Sequence, residues 1–256
     1  MIDMDGTIYK GSNIIPGAKE FIDFLLKEKI PFVFLTNNSS HTREYYCGKL
    51  RSMGFGIGKE RILTSTVATV RFIKERRAGK KIFVIATPEV TREIEELGIK
   101  SHEDDPDIVL LTFDRTITFD KINKAYHCIM NGAELIATHP DDLCPTEDAY
   151  DVDIGQFICL LSNLTKTVPT VIGKPNALML EMAASEMGVD KENTMMVGDR
   201  LYTDMKMASD AEIASVLVLT GEAKRTDVDG MKARPTYVMK SVADIPGLFS
   251  KPDGTL

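Results

Sequence analysis

Asp3 and Asp5 stand two residues apart in the opening stretch MIDMDGTIYKG, with Gly6 and Thr7 directly behind them. At the end of a strand, residues i and i+2 point to the same side. Both carboxylates could therefore reach one pocket at the carboxyl edge of a sheet, where open α/β sheets bind ligands. One carboxylate can hold a hard cation such as Mg²⁺ and attack phosphorus while the other moves a proton. The same residues also fit an Asx-type turn, common in Asp-Gly pairs. An EF-hand loop is excluded, because its sixth position needs Gly and Ile8 stands there.

Three further stretches carry similar chemistry. FVFLTNNSS reads as a buried strand ending in Thr36, Asn37, Asn38 and Ser39, whose hydroxyl and amide donors suit phosphate oxygens. The alternative is a helix N-cap run, a job open to Ser39 or Ser40. In VIGKPNALML, Lys174 lies between Gly173 and Pro175 just ahead of a helix, placed to face an anion, or simply to be a solvated loop lysine. A Walker loop is excluded, since Pro175 follows the lysine. In MMVGDRLYTD a buried strand delivers Asp199, a candidate metal ligand, and Asp204 follows near a helix start. Asp204 can orient a ligand or merely answer the helix dipole. GFGIGK follows a helix and is no dinucleotide fingerprint.

The elements that must position these residues alternate between short apolar runs and helix-period segments, as in an α/β protein with a mostly parallel sheet. Strands are expected in PFVFLTNN, KIFVIAT, DIVLLTF, ELIATHP, NTMMVGD and ASVLVLTG. Helices are expected in GAKEFIDFLLKEKI, TREYYCGKLRSMGF, TVATVRFIKERRAG, PEVTREIEELG, TFDKINKAYHCIMNG, DIGQFICLLSNLT, NALMLEMAASEMG and YTDMKMASDA. Pro88 and Gly98 bracket one helix as capping asymmetry predicts. The tail KPDGTL is expected to fray.

The chain has 256 residues, a net charge of −7, 43% hydrophobic and 27% charged residues, and a sequence pI near 5.2. This argues against nonspecific nucleic-acid binding, which needs basic patches. It leaves room for an anionic substrate held by a metal or a local cation. No apolar run reaches the ~18 residues of a membrane helix, and no secretory leader pattern opens the sequence. A cytoplasmic protein with no membrane or nucleic-acid partner is expected. Cys47, Cys128, Cys144 and Cys159 lack CxxC or zinc spacing and read as free thiols.

In order, DMDGT, TNN, GKP and GDRLYTD resemble the four motifs of the haloacid dehalogenase-type (HAD) phosphohydrolases. The fuller forms DMDGTIYKG, TNNSSHTRE, ATHPD, VIGKP and VGDRLYTD resemble the NagD and 4-nitrophenylphosphatase branch. The resemblance implies a Rossmann-like core with a parallel sheet, residues 1–65 and 171–256. An inserted α/β cap over 66–170 would account for the 137 residues between Thr36 and Lys174. It implies a phosphatase for small phosphate monoesters of the nucleoside monophosphate or sugar phosphate class, with a phosphotransferase, a mutase or a noncatalytic binding protein as alternatives.

The resemblance assigns roles too. Asp3 becomes the nucleophile forming an aspartyl-phosphate, and Asp5 the acid/base whose backbone carbonyl also binds Mg²⁺. Thr36 and Asn37, with Asn38 beside them, bind phosphate, and Lys174 stabilises the developing charge. Asp199 joins Asp3 and Asp5 as a metal ligand, with Asp204 supporting. THPDDLCPTEDAYDVD becomes a candidate specificity segment, or a plain loop, whose acidity disfavours a highly anionic leaving group. Pairing of two copies through the cap is a further expectation. Members of the family carry a full strand before the nucleophile, whereas Met1 and Ile2 alone precede Asp3. Either the reading frame starts upstream of Met1 or the first strand is truly short.

Overall fold

The computed structural model describes residues 1–146, 149–229 and 234–249. Glu147 and Asp148 of the specificity segment and the KPDGTL tail lie outside them. Among the described residues fourteen strands occur in chain order. They are β1 (Ile2–Asp3), β2 (Tyr9–Lys10), β3 (Asn13–Ile14), β4 (Phe34–Thr36), β5 (Ile62–Thr64), β6 (Ile82–Ile85) and β7 (Ile108–Leu111). The rest are β8 (Glu134–Ala137), β9 (Leu143–Pro145), β10 (Tyr150–Val152), β11 (Thr170–Val171), β12 (Met195–Gly198), β13 (Ala214–Val218) and β14 (Tyr237–Met239). The longer helices are α1 (Ala18–Lys27), α2 (Arg43–Ser52), α3 (Ser65–Arg76), α4 (Pro88–Glu96), α5 (Phe119–Met130), α6 (Ile154–Thr165) and α7 (Ala177–Met187), with the short α8 (Lys206–Asp210).

Contacts divide the chain into two units. The first comprises Met1–Leu35, Cys47–Ile62 and Leu180 onward; the second comprises Thr36–Tyr46 and Leu63–Met179. The division passes through the ends of β4 and β5.

The first unit is organised on a sheet of order β14-β13-β12-β1-β4-β5, in which the pairs from β14 to β4 are parallel. β1 holds the centre although only two residues long, with Ile2 in register with both Val197 and Phe34. Parallel strands covered on both faces become continuous apolar runs, and Phe34, Leu35, Val197 and Val216 to Val218 are all buried. α1 packs by one stripe, burying Phe21, Ile22 and Leu25. The chain leaves β1 toward β4 on one side and returns through β12 on the other, so the β1–β12 boundary is a topological switch point. Open sheets of this kind bind ligands at the carboxyl end of such a boundary.

The second unit is built on the parallel sheet β11-β8-β7-β6. Its apolar core runs from Phe83, Ile85, Val109 and Leu111 to Leu135, Ala137, Ile154 and Leu161, with Ala125 and Ile129 of α5 closing one face. Three helices start as their sequences demand: Thr64, Thr87 and Thr118 each accept a backbone N–H of the first turn of α3, α4 and α5.

The expected α/β class and parallel sheets are present. The differences are local. The β9–β10 hairpin lies in the segment weighed as a specificity segment or a plain loop, and the β2–β3 hairpin lies where no element was expected. YTDMKMASDA does not begin as an α-helix: Leu201–Met205 form a π-helical turn before α8. Isolated π turns concentrate at functional sites.

Candidate active site

The first unit gathers three carboxylates. Asp3 ends β1, Asp199 follows the last residue of β12, and Asp204 rides the π turn that β12 feeds. One oxygen from each lies within 4.8 Å of the others. All three are buried, Asp204 completely and Asp199 to 2% exposure. Asp3 Oδ2 takes a long hydrogen bond of 3.5 Å from the Thr7 hydroxyl. Asp204 Oδ2 accepts the Arg200 N–H at 3.2 Å, which ties the π turn to the strand end.

Asp199 is held by the turn after β13. Its Oδ2 accepts the Glu222 N–H at 2.7 Å, and its backbone oxygen accepts the Ala223 N–H. The same turn sends the Thr220 hydroxyl to the Gly6 carbonyl at 2.6 Å. Gly6 itself has φ +83°, a left-handed conformation that glycine adopts without strain. Two loops at the sheet edge are thus clamped by one four-residue turn, Thr220–Ala223.

Asp199 Oδ1 is buried and has no hydrogen-bond partner. Burial first, then the charges of Asp3 and Asp204, push the Asp199 carboxyl well above the ordinary carboxylate range, against the Glu222 N–H and Arg200. An orphaned buried carboxylate oxygen among like charges is costly. A hard divalent cation relieves all of it, and an all-oxygen donor set suits Mg²⁺. The residues present therefore fit the metal.

Asp5 occupies a different environment. It is exposed at the surface, bridged through its backbone to Tyr9. Partial desolvation raises its carboxyl, opposed by Lys49, then Arg200 and Lys10. Lys49 stands 3.8 Å from the centroid of the Tyr9 ring, and desolvation lowers its ammonium. A carboxyl displaced upward is what proton transfer near neutral pH requires.

Thr36, Asn37, Asn38 and Lys174 belong to the second unit. Asn38 is committed locally: its Oδ1 accepts the Ser40 N–H and hydroxyl at 3.0 and 2.7 Å. The Asn37 amide nitrogen donates to both oxygens of Asp141, at 3.1 and 3.2 Å, and to the Lys174 carbonyl at 2.9 Å. The Asn38 amide nitrogen donates to Cys144 Sγ at 3.5 Å, so neither amide is an idle donor. Thr36 Oγ1 accepts the Asn38 N–H at 3.2 Å, and its own proton meets no acceptor among the described residues. Lys174, 3% exposed, is a buried cation and no solvated loop lysine.

Sequence reasoning places Asp141, His139 and Asp153 only within the THPDDLCPTEDAYDVD segment, with no role of their own, and passes over Lys49 and the Thr220–Glu222 turn. One signal was available. ELIATHPD delivers a carboxylate just past an apolar strand, the same logic that picks out Asp199.

A family model described as haloacid dehalogenase-like hydrolase matches residues 1–100, and a second, HAD-hydrolase-like, matches 171–245. Dihydroxyacetone phosphatase of Corynebacterium glutamicum is 33% identical over 254 residues, 99% of this chain and 92% of the relative. The 5'-nucleotidase YutF of Bacillus subtilis is 33% identical over 244 residues, 95% of each. The crystal structure of 4-nitrophenylphosphatase from Thermotoga maritima superposes with a TM-score of 0.92 at 37% identity, covering 96% of this chain and 95% of that one. The chain belongs to the haloacid dehalogenase-like hydrolase family. Within it, the chain falls in the NagD and 4-nitrophenylphosphatase branch.

Proposed function

We propose that this phosphomonoester hydrolase is a Mg²⁺-dependent phosphatase of small phosphorylated metabolites working through an aspartyl-phosphate on Asp3. The observation that carries the reading is the buried trio Asp3, Asp199 and Asp204 with the orphaned Asp199 Oδ1. Mg²⁺, when bound, supplies charge neutralisation for an anionic nucleophile meeting an anionic phosphate.

Every other step falls to the chain. Asp3 attacks phosphorus. Asp5 gives a proton to the leaving oxygen and then takes one from the water that hydrolyses the intermediate. Its carbonyl, Asp3 and Asp199 hold the metal, and Asp204 keeps the trio in shape. Thr36 donates its free hydroxyl to phosphate, Lys174 adds its charge, and Asn37 and Asn38 shape the turn that carries Thr36. In this reading residues 1–65 and 171–256 form the catalytic core and 66–170 the cap that sets leaving-group specificity.

The relatives named above act on dihydroxyacetone phosphate and on nucleotides by name, which supports a sugar phosphate or nucleoside monophosphate as substrate class. Pairing through the cap and a cytoplasmic location complete the reading. Among the described residues no helix is long and apolar enough to cross a membrane.

The test is hydrolysis of 4-nitrophenyl phosphate with Mg²⁺ and with a chelator. Activity is expected to vanish with the metal and in Asp3→Asn, and losing Asp5 should cost ~10²–10⁴ in rate. Turnover persisting in Asp3→Asn would end the mechanism. Phosphoryl transfer to an added alcohol exceeding transfer to water would make the protein a phosphotransferase.

A further inference from the structure

The buried polar groups that this function leaves unused cluster at the carboxyl end of β8, all within the second unit. His139 is fully buried, Asp153 is 3% exposed and Asp141 9%. His139 Nε2 lies 3.1 Å from Asp153 Oδ1, and Nδ1 lies 3.1 Å from the Thr138 hydroxyl. The Thr138 hydroxyl is 2.8 Å from the Ser39 hydroxyl, which accepts the Phe113 N–H at 2.8 Å.

One direction of donation accounts for every proton in this series. Phe113 N–H gives to Ser39, Ser39 O–H to Thr138, Thr138 O–H to His139 Nδ1, and Nε2–H to Asp153. Asp153 also accepts the Ile154 N–H and so caps α6. A fully paired buried chain is rigid, and its far end is Ser39, inside the turn that carries Thr36 and Asn37.

Asp141 completes the anchoring. Three acceptor oxygens, two from Asp141 and one from the Lys174 backbone, surround the Asn37 amide nitrogen, which fixes the orientation of the amide. Its Oδ1 then points toward Gly173, where a Cβ would fall 2.7 Å from it and 2.6 Å from the Thr138 carbonyl. No side chain fits there, so the backbone of the GKP segment packs directly on the same anchor. The turn at 36–40 and the Lys174 backbone are therefore both fastened to the end of β8.

We infer that Asp141 is a positioning residue that presets the 36–40 turn for phosphate by holding the Asn37 side chain, with the Ser39–Thr138–His139–Asp153 chain as the rigid support. The inference rests on the reading above that this turn binds phosphate. A metal at His139, Asp141 and Asp153 is a weaker account of the same cluster, because both imidazole nitrogens already have partners.

The test is a double-mutant cycle read as the Ki of inorganic phosphate against 4-nitrophenyl phosphate, with thermal melting to confirm folding. Asp141→Ala is expected to raise that Ki about tenfold, and Asp141→Asn, which keeps an acceptor for Asn37, by less than about threefold. In an Asn37→Ala background, Asp141→Ala should add almost nothing, because its effect runs through the missing amide. If Asp141→Ala does not fold, the exchange N37D/D141N supplies the measurement. It restores a donor opposite an acceptor, and should recover affinity lost in Asn37→Asp alone.

A folded Asp141→Ala with wild-type Ki, full additivity with Asn37→Ala, or no recovery in the exchange overturns the inference. If Thr36→Ala and Asn37→Ala both leave the Ki unchanged, the turn does not bind phosphate. The proposed function would then fail at that point, whatever Asp141 does.

Discussion

Replacing Gly221 with alanine places a single methyl group against Asp199, a metal ligand in the proposed mechanism. An ideal Cβ on Gly221 falls 1.8 Å from Asp199 Oδ2, 2.4 Å from its Cγ and 2.7 Å from its Cβ. Reaching ordinary contact at 3.4 Å needs a separation larger by about 1.6 Å. The carboxylate cannot swing aside freely, because Oδ2 is tied at 2.7 Å to the N–H of the next residue, Glu222. If the turn retreats instead, the Thr220 bond to the Gly6 carbonyl loosens and the loop after Asp3 loses its clamp.

Either response is large against the tolerance of a metal site, where ligand distances are held to about 0.2 Å. It also exceeds the ~1 Å misplacement that typically costs about 10²-fold in rate. Overpacking should lower stability by only ~1–3 kcal/mol, so the protein should remain folded. The assay is 4-nitrophenyl phosphate hydrolysis titrated with Mg²⁺, alongside thermal melting. G221A is expected to need more Mg²⁺ for half-activation and to lose about 10² or more in kcat/KM. Gly247→Ala, which meets nothing within 4 Å, serves as the control. A folded G221A with the wild-type Mg²⁺ midpoint and rate would refute the clamp.

Two pH effects of opposite sign should be separable in the melting temperature. The Met1 amine is buried, donates to the Met195 carbonyl at 2.9 Å, and is pushed down by burial to about 5 from 8.0. A polypeptide beginning at Met1 should therefore hold this stability above pH 8 and lose it as the pH falls through about 5, by up to about 4 kcal/mol. A chain extended ahead of Met1 has an amide there, so an identical acid profile in both would refute the assignment. Asp199 acts the other way. Its raised carboxyl means the metal-free fold loses stability as pH rises from the ordinary aspartate range through the folded value. Melting in chelator across the acid range should show this slope in the wild type and not in Asp199→Asn; equal slopes would refute it. Asp204→Asn removes one like charge, so it should raise the metal-free melting temperature while reducing the gain on adding Mg²⁺, a gain worth ~2.7 kcal/mol at a hundredfold excess over Kd. A lower metal-free melting temperature would show that the Arg200 N–H bond to Asp204 outweighs the repulsion.

Asp3 and Asp199 are readable from sequence because each ends an apolar run, and a strand's end fixes a position without knowledge of tertiary partners. The same rule places Thr36. The rule fails where the outcome depends on which groups lie across a sheet edge. Asp141, His139 and Gly221 gain their meaning from partners 104, 14 and 22 positions away in sequence: Asn37, Asp153 and Asp199. No local pattern announces such pairings. The central place of β1 is likewise set by distant partners, Val197 and Phe34, on either side of Ile2.

Asn37 shows the limit most directly. Its place after an apolar strand, in TNN, marks it as a phosphate donor. Its side-chain nitrogen, however, has three protein acceptors and only two protons to give. A phosphate oxygen would have to compete with an anionic carboxylate for those protons. Thr36 faces no such competition. On the proposed function, the side-chain bond to phosphate thus falls to the threonine, and the asparagine holds the turn that aims it.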